Sequence, residues 1–193
     1  MTTAILVYVF LSVAAIPFIY YFLALYSSWL FFRQARESNQ PSDYTPPVSN
    51  LKPIRGLDAE AYENFASYCQ QDYPDYEMLF AIGDGDEPVL EVIEKLKRDF
   101  PQRRIRVVHV SGHTAPNDKV VKLARLVTEA QNEVLVMNDS DVRVRPDYLR
   151  SVVAPLRDSK VGAVTCLYVS TQEHTLLQKL QSIGMICDFY PGI

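Results

Sequence analysis

No charged residue occurs between Met1 and Phe32, and this limits what the amino-terminal part of the chain can fold into. The stretch is almost wholly apolar or aromatic. About 20 such residues cross the hydrocarbon core of a bilayer as a helix, so this run is long enough to span with some tilt. Pro17 lies in the middle of the run, where a membrane helix tolerates proline. We predict a transmembrane anchor at residues 1–32.

A cleaved signal peptide is the alternative for this run. Such a peptide starts with positive charge, has a short apolar stretch and ends in a small-residue cleavage site. The start, Met1-Thr2-Thr3, has no charge and the apolar run is too long, so a retained anchor is favoured. Arg33 and Arg36 follow the run directly. The positive-inside tendency then places the rest of the chain in the cytosol.

The charge and cysteine content exclude several classes of protein. The net charge of −4 lies entirely after the anchor and argues against a nucleic-acid binder, because phosphate contacts need a basic surface. Cys69, Cys166 and Cys187 are odd in number and widely spaced. They are interpreted as reduced core residues, since neither a disulfide framework nor a zinc site has this pattern.

Behind the anchor, residues 33–47 are polar and contain prolines, which predicts a linker. Residues 48–193 then alternate between strand-like and helix-like patterns, which indicates an α/β domain with a mostly parallel sheet. Ligands of such sheets bind outside the carboxyl ends of the strands. The predicted strands are 48–54, 76–82, 105–110, 133–138 and 161–169, and the predicted helices are 59–71, 87–100, 119–130, 146–156 and 174–190.

Two Asp-x-Asp triplets stand at carboxyl ends of predicted strands, Asp84/Asp86 after the second and Asp139/Asp141 after the fourth. Chance alone produces such triplets, so their position is what makes them informative. Alternate side chains of an extended segment point the same way, so Asp139 and Asp141 are expected to face one point.

Two converging carboxylates repel each other unless a cation lies between them. Mg²⁺ or Mn²⁺ prefers oxygen ligands and leaves positions for water and substrate phosphates. Asp139 and Asp141 are therefore candidate metal ligands that would help to hold a diphosphate. The alternatives are that Asp141 pairs with Arg143 or Arg145, or that Asp139 caps a turn.

The other candidate residues are ambiguous on the sequence alone. Asp84 or Asp86 could accept hydrogen bonds from a nucleotide base or ribose, or Asp86 could cap the helix that begins near Glu87. Lys119 stands at the start of a predicted helix, where it could meet a phosphate together with the amides of the first turn. The alternative for Lys119 is an ordinary solvated lysine.

Four blocks in order carry a family resemblance: "VSNLKPIRGLD", "YCQQDYPDYEMLFAIGDGDEP", "NDKVVKLARL" and "VLVMNDSDVRVRPDYL". They resemble the successive blocks of ceramide glucosyltransferases, which are membrane-anchored, inverting, family-2-like enzymes of the GT-A fold. Bacterial hopanoid-pathway glycosyltransferases are similar in the same blocks. The resemblance runs from about residue 48 to the end of the chain.

The resemblance implies a UDP-sugar donor, UDP-glucose, and a lipid acceptor such as ceramide at the cytosolic face of the membrane. It implies that the acidic residues of the first block contact the uridine part, and that the second Asp-x-Asp holds the metal and diphosphate. It also places a lysine near the donor. Relatives often read Asn-Pro-Lys there, whereas this chain has Asn-Asp-Lys. The residues concerned are Asp84, Asp86, Glu87, Lys119, Asp139 and Asp141.

The resemblance is incomplete at the carboxyl end. Family members carry a third acidic residue, the base for the acceptor hydroxyl, followed by a Gln-x-x-Arg-Trp block and further membrane segments. Nothing after Asp141 matches them, and Asp188 lacks the expected context. We therefore assign no catalytic base and expect it beyond Ile193. The GT-A domain is expected to be incomplete, and the chain is expected not to complete catalysis alone.

Two further functions remain alternatives to glycosyl transfer. One is a membrane-tethered nucleotide-sugar-binding module without catalysis. The other is a phosphotransferase of the haloacid-dehalogenase type, whose nucleophile motif is also a strand followed by Asp-x-Asp. That motif has Thr or Val where this chain has Arg143, and its strand usually opens the domain, so it is ranked below glycosyl transfer.

Overall fold

The structure, a computed structural model, describes residues 2–38, 43–86, 88–112, 116–168 and 175–185. The chain divides into two compact units. One comprises residues 1–40 and 165–193, and the other comprises residues 41–164.

The first unit contains a long apolar helix, α1 (Thr2–Ser38), which passes through Pro17 without a break. Its segment Ile5–Arg33, 29 residues, is long and apolar enough to cross a membrane, and its apolar stretch is not buried within the protein. The helix continues past Phe32 to Ser38, so the first part of the predicted linker is helical. A second, shorter helix of this unit lies near the carboxyl end.

The second unit is built on a sheet of four parallel strands, β1 (Val48–Pro53), β2 (Tyr76–Ile82), β3 (Arg104–His109) and β4 (Val134–Met137). Their order across the sheet is β3-β2-β1-β4. The predicted α/β fold with a parallel sheet is confirmed. Every residue of β1 and β2 is buried, as expected for central strands covered on both faces.

The predicted strand at 161–169 is wrong for the part that the structure describes, because residues 161–168 contain no strand. Its composition favours a strand, but a strand forms only where a neighbour supplies ladder hydrogen bonds and a surface to pack on. The side chains of Val164, Leu167 and Tyr168 remain more than a third exposed. Among the described residues, no strand pairs with this segment.

Helices cover both faces of the sheet. Residues of β2 alternate between the two faces, with Phe80 packing on Phe65 at a ring-centroid distance of 5.0 Å and Leu79 packing beside Leu126. The helices of this unit are α2 (Ala61–Cys69), α3 (Pro88–Asp99), α4 (Asp118–Glu129), α5 (Tyr148–Val153) and a 3-10 helix (Ala154–Arg157). Helices α2, α3 and α5 lie on the Phe80 face of the sheet, and α4 lies on the other face.

The chain after β4 does not turn directly into a helix. It runs along α2 toward the carboxyl end of that helix, and its backbone is held there by side chains of α2 and the residues that follow. The amide of Val144 donates to Ser67 Oγ at 3.1 Å, and Gln71 Nε2 donates to the carbonyl of Arg145 at 2.7 Å. This path explains why the predicted helix at 146–156 begins only at Tyr148.

The remaining helix, α6 (Leu176–Gly184), belongs to the first unit. It begins with a capping box in which Thr175 and Gln178 exchange side-chain-to-backbone hydrogen bonds. The predicted helix at 174–190 is thus present in its described part, while residue 174 and residues 186–190 lie outside the described residues.

The three cysteines have different outcomes. Cys69 is buried as predicted, Cys166 is exposed, and Cys187 lies outside the described residues.

Candidate functional site

The order of the strands creates a crevice at one edge of the sheet. The chain moves from β1 outward through β2 to β3 and then returns to place β4 on the other side of β1. In such sheets the loops after the strands diverge at this switch point and leave a cleft at the carboxyl edge. The loops after β1, β2 and β4 and the start of α4 all lie at this edge, and they carry the predicted site residues.

Lys119 and Asp139 meet at this edge. Lys119 is in the first turn of α4 and Asp139 follows β4, and their Nζ and Oδ1 atoms lie 2.5 Å apart. The side chains are 56% and 44% exposed, so a ligand can reach both. The amino end of α4 is capped by Asn117, whose side chain accepts from the amide of Val120. The structure therefore brings together a lysine, a carboxylate and a helix amino end.

Lys52, which the sequence patterns did not indicate, lies on the buried side of this pair. Its ammonium group donates to the carbonyl of Asp139 at 2.9 Å and stands 3.6 Å from the centre of the Tyr68 ring. The side chain is fully buried on the α2 face of β1. Burial lowers the pKa of Lys52 to about 7, although Asp139 and Asp141 act in the opposite direction and raise it. Both carboxylates thus lie close enough to act on this ammonium group.

Two further side chains hold the side chain of Asn138, the residue that precedes Asp139. Tyr148 Oη donates to Asn138 Oδ1 at 2.9 Å, and Asn138 Nδ2 donates to Asn50 Oδ1 at 3.3 Å. Tyr148 also packs edge-on against Tyr68, with ring centroids 6.1 Å apart. The turn that carries Asp139 is consequently tied to β1, α2 and α5 by buried or half-buried groups.

The alternative pairing of Asp141 with nearby arginines is wrong. Arg143 pairs with Glu60 at 3.1 Å, and Arg145 pairs with Asp147 at 2.9 Å, because the chain here runs along α2 and away from the carboxyl edge. Asp141 itself is exposed.

The predicted extended geometry also differs from the structure. β4 ends at Met137, and Ser140 and Asp141 form part of a turn. Strand alternation therefore does not decide where the two carboxylates point. Ser140 is not simply turned aside, because its hydroxyl donates to Oδ2 of Asp58 at 3.1 Å. Asp58 joins the site as an acidic neighbour that sequence analysis did not single out.

Asp86 is held inside the protein by three donors. Its Oδ1 accepts from the amide of Gly56 at 2.7 Å, and its Oδ2 accepts from the amide of Gly83 at 2.8 Å and from Lys122 Nζ at 2.7 Å. Burial alone would raise the pKa of this carboxyl, but the hydrogen bonds from Gly56, Lys122 and Gly83 outweigh it and lower the pKa. Asp86 thereby joins the loops after β1 and β2.

Lys122, also missed from the sequence, completes this cluster. It is buried and contacts Asp118 Oδ2 at 2.8 Å and the carbonyl of Ile54 at 2.5 Å in addition to Asp86. Burial would lower the pKa of Lys122, but the hydrogen bonds that it donates to Asp118 and Asp86 together raise it. The spacing of Asp118 and Lys122, four residues apart in a helix, was the available sequence signal.

The other residues of the first acidic block are arranged differently. Asp84 is exposed at the carboxyl edge, beside Gly85 with φ of +90°, a conformation that favours glycine. Since both oxygens of Asp86 are engaged within the protein, Asp84 is the aspartate of this pair whose carboxylate faces solvent. Glu87 lies outside the described residues.

The chemistry of the edge suits a divalent cation bound together with a diphosphate. Asp139 and Asp141 supply carboxylate oxygens that are partly or fully exposed, which leaves room for water and phosphate ligands. Within the described ranges, no three His, Cys, Asp or Glu side chains form a cluster that could hold a metal. Two protein carboxylates completed by substrate oxygens are typical of Mg²⁺ sites.

Comparison with known proteins identifies relatives. Residues 9–193 match the model of glycosyl transferase family 21. The chain is 26% identical over 165 residues to ceramide glucosyltransferase 3 of Caenorhabditis elegans, which covers 85% of this chain and 35% of that protein. It is 32% identical over 123 residues to the ceramide glucosyltransferase of Komagataella phaffii, covering 61% and 24% respectively. The chain spans about a quarter to a third of the length of these relatives.

Solved structures show the same fold. A mannosyltransferase from Pyrobaculum calidifontis, in complex with GDP-Man and Mn²⁺, superposes with a TM-score of 0.58 at 21% identity, covering 79% of this chain and 46% of that one. TarS 1-349 of S. aureus in complex with UDP superposes with a TM-score of 0.50 at 16% identity, covering 66% and 40%. The α/β unit therefore has the predicted GT-A fold.

Proposed function

The chain belongs to glycosyl transferase family 21, and we propose that its sheet unit binds a nucleotide-sugar donor, UDP-glucose, at the carboxyl edge of the sheet with Mg²⁺ or Mn²⁺. The observation that carries this proposal is the meeting of Lys119 and Asp139 at the switch point of a parallel sheet. An exposed cation and an exposed carboxylate there offer complementary partners for a phosphate and for the metal that accompanies it.

The candidate residues of the edge have separate roles in this proposal. Asp139 and Asp141 would hold the metal ion, and Lys119 with the first amides of α4 would contact the diphosphate of the donor. Asp84, with Glu87 beside it in sequence, contacts the nucleoside part. Asp86 helps to shape this part of the site through its bonds to the loops after β1 and β2.

The bound metal ion would screen the diphosphate and stabilise it as a leaving group. The protein contributes the positions of the carboxylates, which Lys52 and Asn138 support from below. The solved neighbours are consistent with this arrangement, since one binds GDP-Man with Mn²⁺ and another binds UDP. Membership of a glycosyl transferase family argues against the alternative of a haloacid-dehalogenase-type phosphotransferase.

The reaction proposed for the whole protein is transfer of a hexose, glucose, to a lipid acceptor such as ceramide, with inversion at the sugar. Support comes from the relatives, which are ceramide glucosyltransferases. The apolar α1 would hold the chain in the membrane, with Arg33 and Arg36 on the cytosolic side and the sheet unit facing the cytoplasm.

Donor binding without transfer is the second candidate function. It rests on the residues described at the carboxyl edge, whose exposed groups fit a donor and a metal ion. Asp84, Asp139 and Asp141 are assigned to the donor and the metal ion, and Asp86 and Asp58 make contacts within the protein. The general base is assigned to none of them.

The experiment that tests the proposal is calorimetric titration of UDP-glucose into the full chain in lipid nanodiscs, with and without Mn²⁺. We expect binding that depends on Mn²⁺ and is lost in Asp139→Ala. Asp147→Ala is the matched control, because Asp147 is an exposed ion-paired aspartate beyond the segment that runs along α2. Failure of the folded wild-type chain to bind UDP-glucose, or equal loss in both variants, would refute the proposal.

Transfer itself is tested on the same sample with radiolabelled UDP-glucose and ceramide in the nanodisc. Labelled lipid would support the full reaction. Binding of UDP-glucose without labelled lipid would support the second candidate and leave the donor site intact.

A further inference from the structure

We propose that α6 lies on a lipid bilayer, with its apolar face in contact with the acyl chains. The proposal concerns membrane association and does not depend on donor binding. The face consists of Leu176, Leu177, Leu180 and Ile183, which are 74%, 79%, 54% and 55% exposed.

These four side chains form one continuous surface on the helix. Residues 176, 180 and 183 follow the i, i+4, i+7 spacing that places side chains on one face, and Leu177 borders it. The opposite side carries Gln178. A helix with this pattern in a water-soluble protein normally turns its apolar face toward the core, because removing apolar side chains from water stabilises the fold.

In this structure the apolar face of α6 does not turn toward the protein. The buried residue of the helix is Ser182, which is 8% exposed, while the large apolar side chains are more than half exposed. The polar residues Gln178, Lys179 and Gln181 are exposed as well. An apolar stripe that faces outward is favourable where the surroundings of the helix are themselves apolar.

The composition of the unit identifies the apolar surroundings as lipid. The unit that contains α6 also contains α1, whose segment Ile5–Arg33 is long and apolar enough to span a bilayer. The large apolar side chains of that segment are exposed to a similar degree, for example Phe22 at 71% and Leu25 at 68%. A unit that holds a membrane span brings its other parts close to the same bilayer.

The ends and flanks of α6 suit a position at the bilayer interface. The capping box satisfies amides of the first turn without solvent: Thr175 Oγ1 accepts from the amide of Gln178, and Gln178 Oε1 accepts from the amide of Thr175. Lys179 is exposed and borders the apolar face beside Ile183. A lysine at this position can extend its ammonium group to the lipid phosphates while its methylene chain lies along the apolar region.

Tryptophan scanning tests the proposal directly, because Trp29 is the only tryptophan of the chain. In a Trp29→Phe background, single tryptophans are placed at Leu176, Leu177, Gln178, Leu180 and Ile183. Each full-length variant is reconstituted into vesicles of phosphatidylcholine or of the same lipid brominated on its acyl chains. Emission wavelength and bromine quenching are measured at each position.

The expected result is helical periodicity in both signals. Tryptophan at Leu180 and Leu176 should show the largest blue shift and the greatest loss of emission in brominated vesicles, and tryptophan at Gln178 the smallest. The replacement at Gln178 also removes one half of the capping box, so circular dichroism is recorded to confirm that the helix is retained. Lys179→Trp serves as a second flank position with the cap intact.

Two outcomes would overturn the proposal. In the first, emission is blue-shifted with the same periodicity but is not quenched by bromine. This would show that the face is covered by protein, which is either a second copy of the chain or another part of the whole molecule. Emission typical of water at every position, without periodicity, would show that the face is exposed to solvent. Periodic quenching is not produced by a loss of folding, since an unfolded segment has no preferred face.

Discussion

The ammonium nitrogen of Lys119 lies 2.5 Å from Oδ1 of Asp139, and this contact joins the start of α4 to the end of β4 across the switch point of the sheet. Directly behind it, Lys52 donates to the carbonyl of the same aspartate. Asp139 is thus contacted from two sides by lysines with different surroundings, one exposed and one buried. The exposed lysine is available to a ligand, and the buried one supports the turn.

Replacement of Lys119 with alanine should weaken UDP-glucose binding without unfolding the protein. An exposed ion pair contributes at most about 1 kcal/mol to stability, so the free energy of unfolding should change little. Loss of a charge-assisted contact to phosphate of about 2 kcal/mol would lower donor affinity by more than tenfold. Titration calorimetry and urea unfolding measure the two quantities on the same sample.

Lys97→Ala is the control for this variant. Lys97 is an exposed lysine paired with Glu94 at 2.7 Å near the carboxyl end of α3, away from the loops that follow the strands. Its replacement should leave donor affinity unchanged. Equal affinities for wild type, Lys119→Ala and Lys97→Ala would remove Lys119 from the site.

Replacement of Lys52 with methionine should separate donor binding from stability. Methionine fills a similar volume, and it removes a buried charge whose desolvation opposes folding, as the pKa of about 7 indicates. Loss of the donor to the carbonyl of Asp139 costs about 1.5 kcal/mol, which the removal of the buried charge offsets, so the free energy of unfolding should change little. The turn that carries Asp139 is then held less firmly, and donor binding should weaken about tenfold.

Calorimetry of UDP-glucose binding and urea denaturation followed by near-ultraviolet circular dichroism check the Lys52→Met prediction. A variant that is destabilised and binds normally would show that Lys52 stabilises the sheet rather than the turn that carries Asp139.

Asp86→Asn should destabilise the sheet unit by about 3 kcal/mol, because it breaks a buried ion pair with Lys122. The effect should depend on pH. The folded-state pKa of Asp86 lies below its ordinary value of 3.8. Its contribution is therefore complete above that value and is lost as pH falls through the folded-state pKa. The difference in unfolding free energy between wild type and variant should be constant near neutral pH and shrink below pH 3.8.

Glu77→Gln provides the comparison for Asp86→Asn. Glu77 is also buried and hydrogen-bonded, accepting from Ser49 Oγ at 2.6 Å and from the amide of Gln131 at 2.8 Å, but it lies near the amino end of β2. Both variants should be destabilised, and only Asp86→Asn should weaken UDP-glucose binding in the folded fraction. Normal donor binding by folded Asp86→Asn would show that the cluster serves stability alone.

Gly83→Ala should disturb the same cluster through sterics. A Cβ at this position would lie 3.1 Å from both Cε and Nζ of Lys122, so the lysine would have to shift from its three oxygen partners. Such crowding costs about 1–3 kcal/mol. Gly162→Ala, where a Cβ meets nothing within 4 Å, should have no such effect. Thermal unfolding of the two variants measures the difference, and equal melting temperatures would contradict it.

Sequence patterns predicted the four parallel strands because β2 is an almost continuous apolar run and the helices between the strands are amphipathic. They failed at 161–168, where β propensity meets no partner strand among the described residues. They also did not identify the ion-pair partners of the arginines after Asp141. Arg143 reaches Glu60 because the chain runs along α2, and this course is not visible in the sequence.

The buried lysines are among the site residues that the sequence did not single out. Lys52 lies in the strand VSNLKP, which has other polar residues, and Lys122 lies on an amphipathic helix, so each could have been a solvated lysine at an edge. Their roles depend on oxygen atoms brought near from distant elements, such as the carbonyl of Asp139 and the carboxylate of Asp86. The exposed carboxylates were easier to identify, because their place at the ends of strands already indicates a ligand-binding edge.

Hydrogen exchange of the full chain in nanodiscs, with and without UDP-glucose and Mn²⁺, tests the central claim most directly. The account predicts slower exchange in the loops after β1, β2 and β4 and at the start of α4, that is in residues 54–58, 83–86, 117–120 and 138–141. Exchange at the opposite edge, in residues 70–75 and 101–103, should not change. Protection confined to that opposite edge, or no protection at saturating donor, would contradict a nucleotide-sugar site at the carboxyl edge of the sheet.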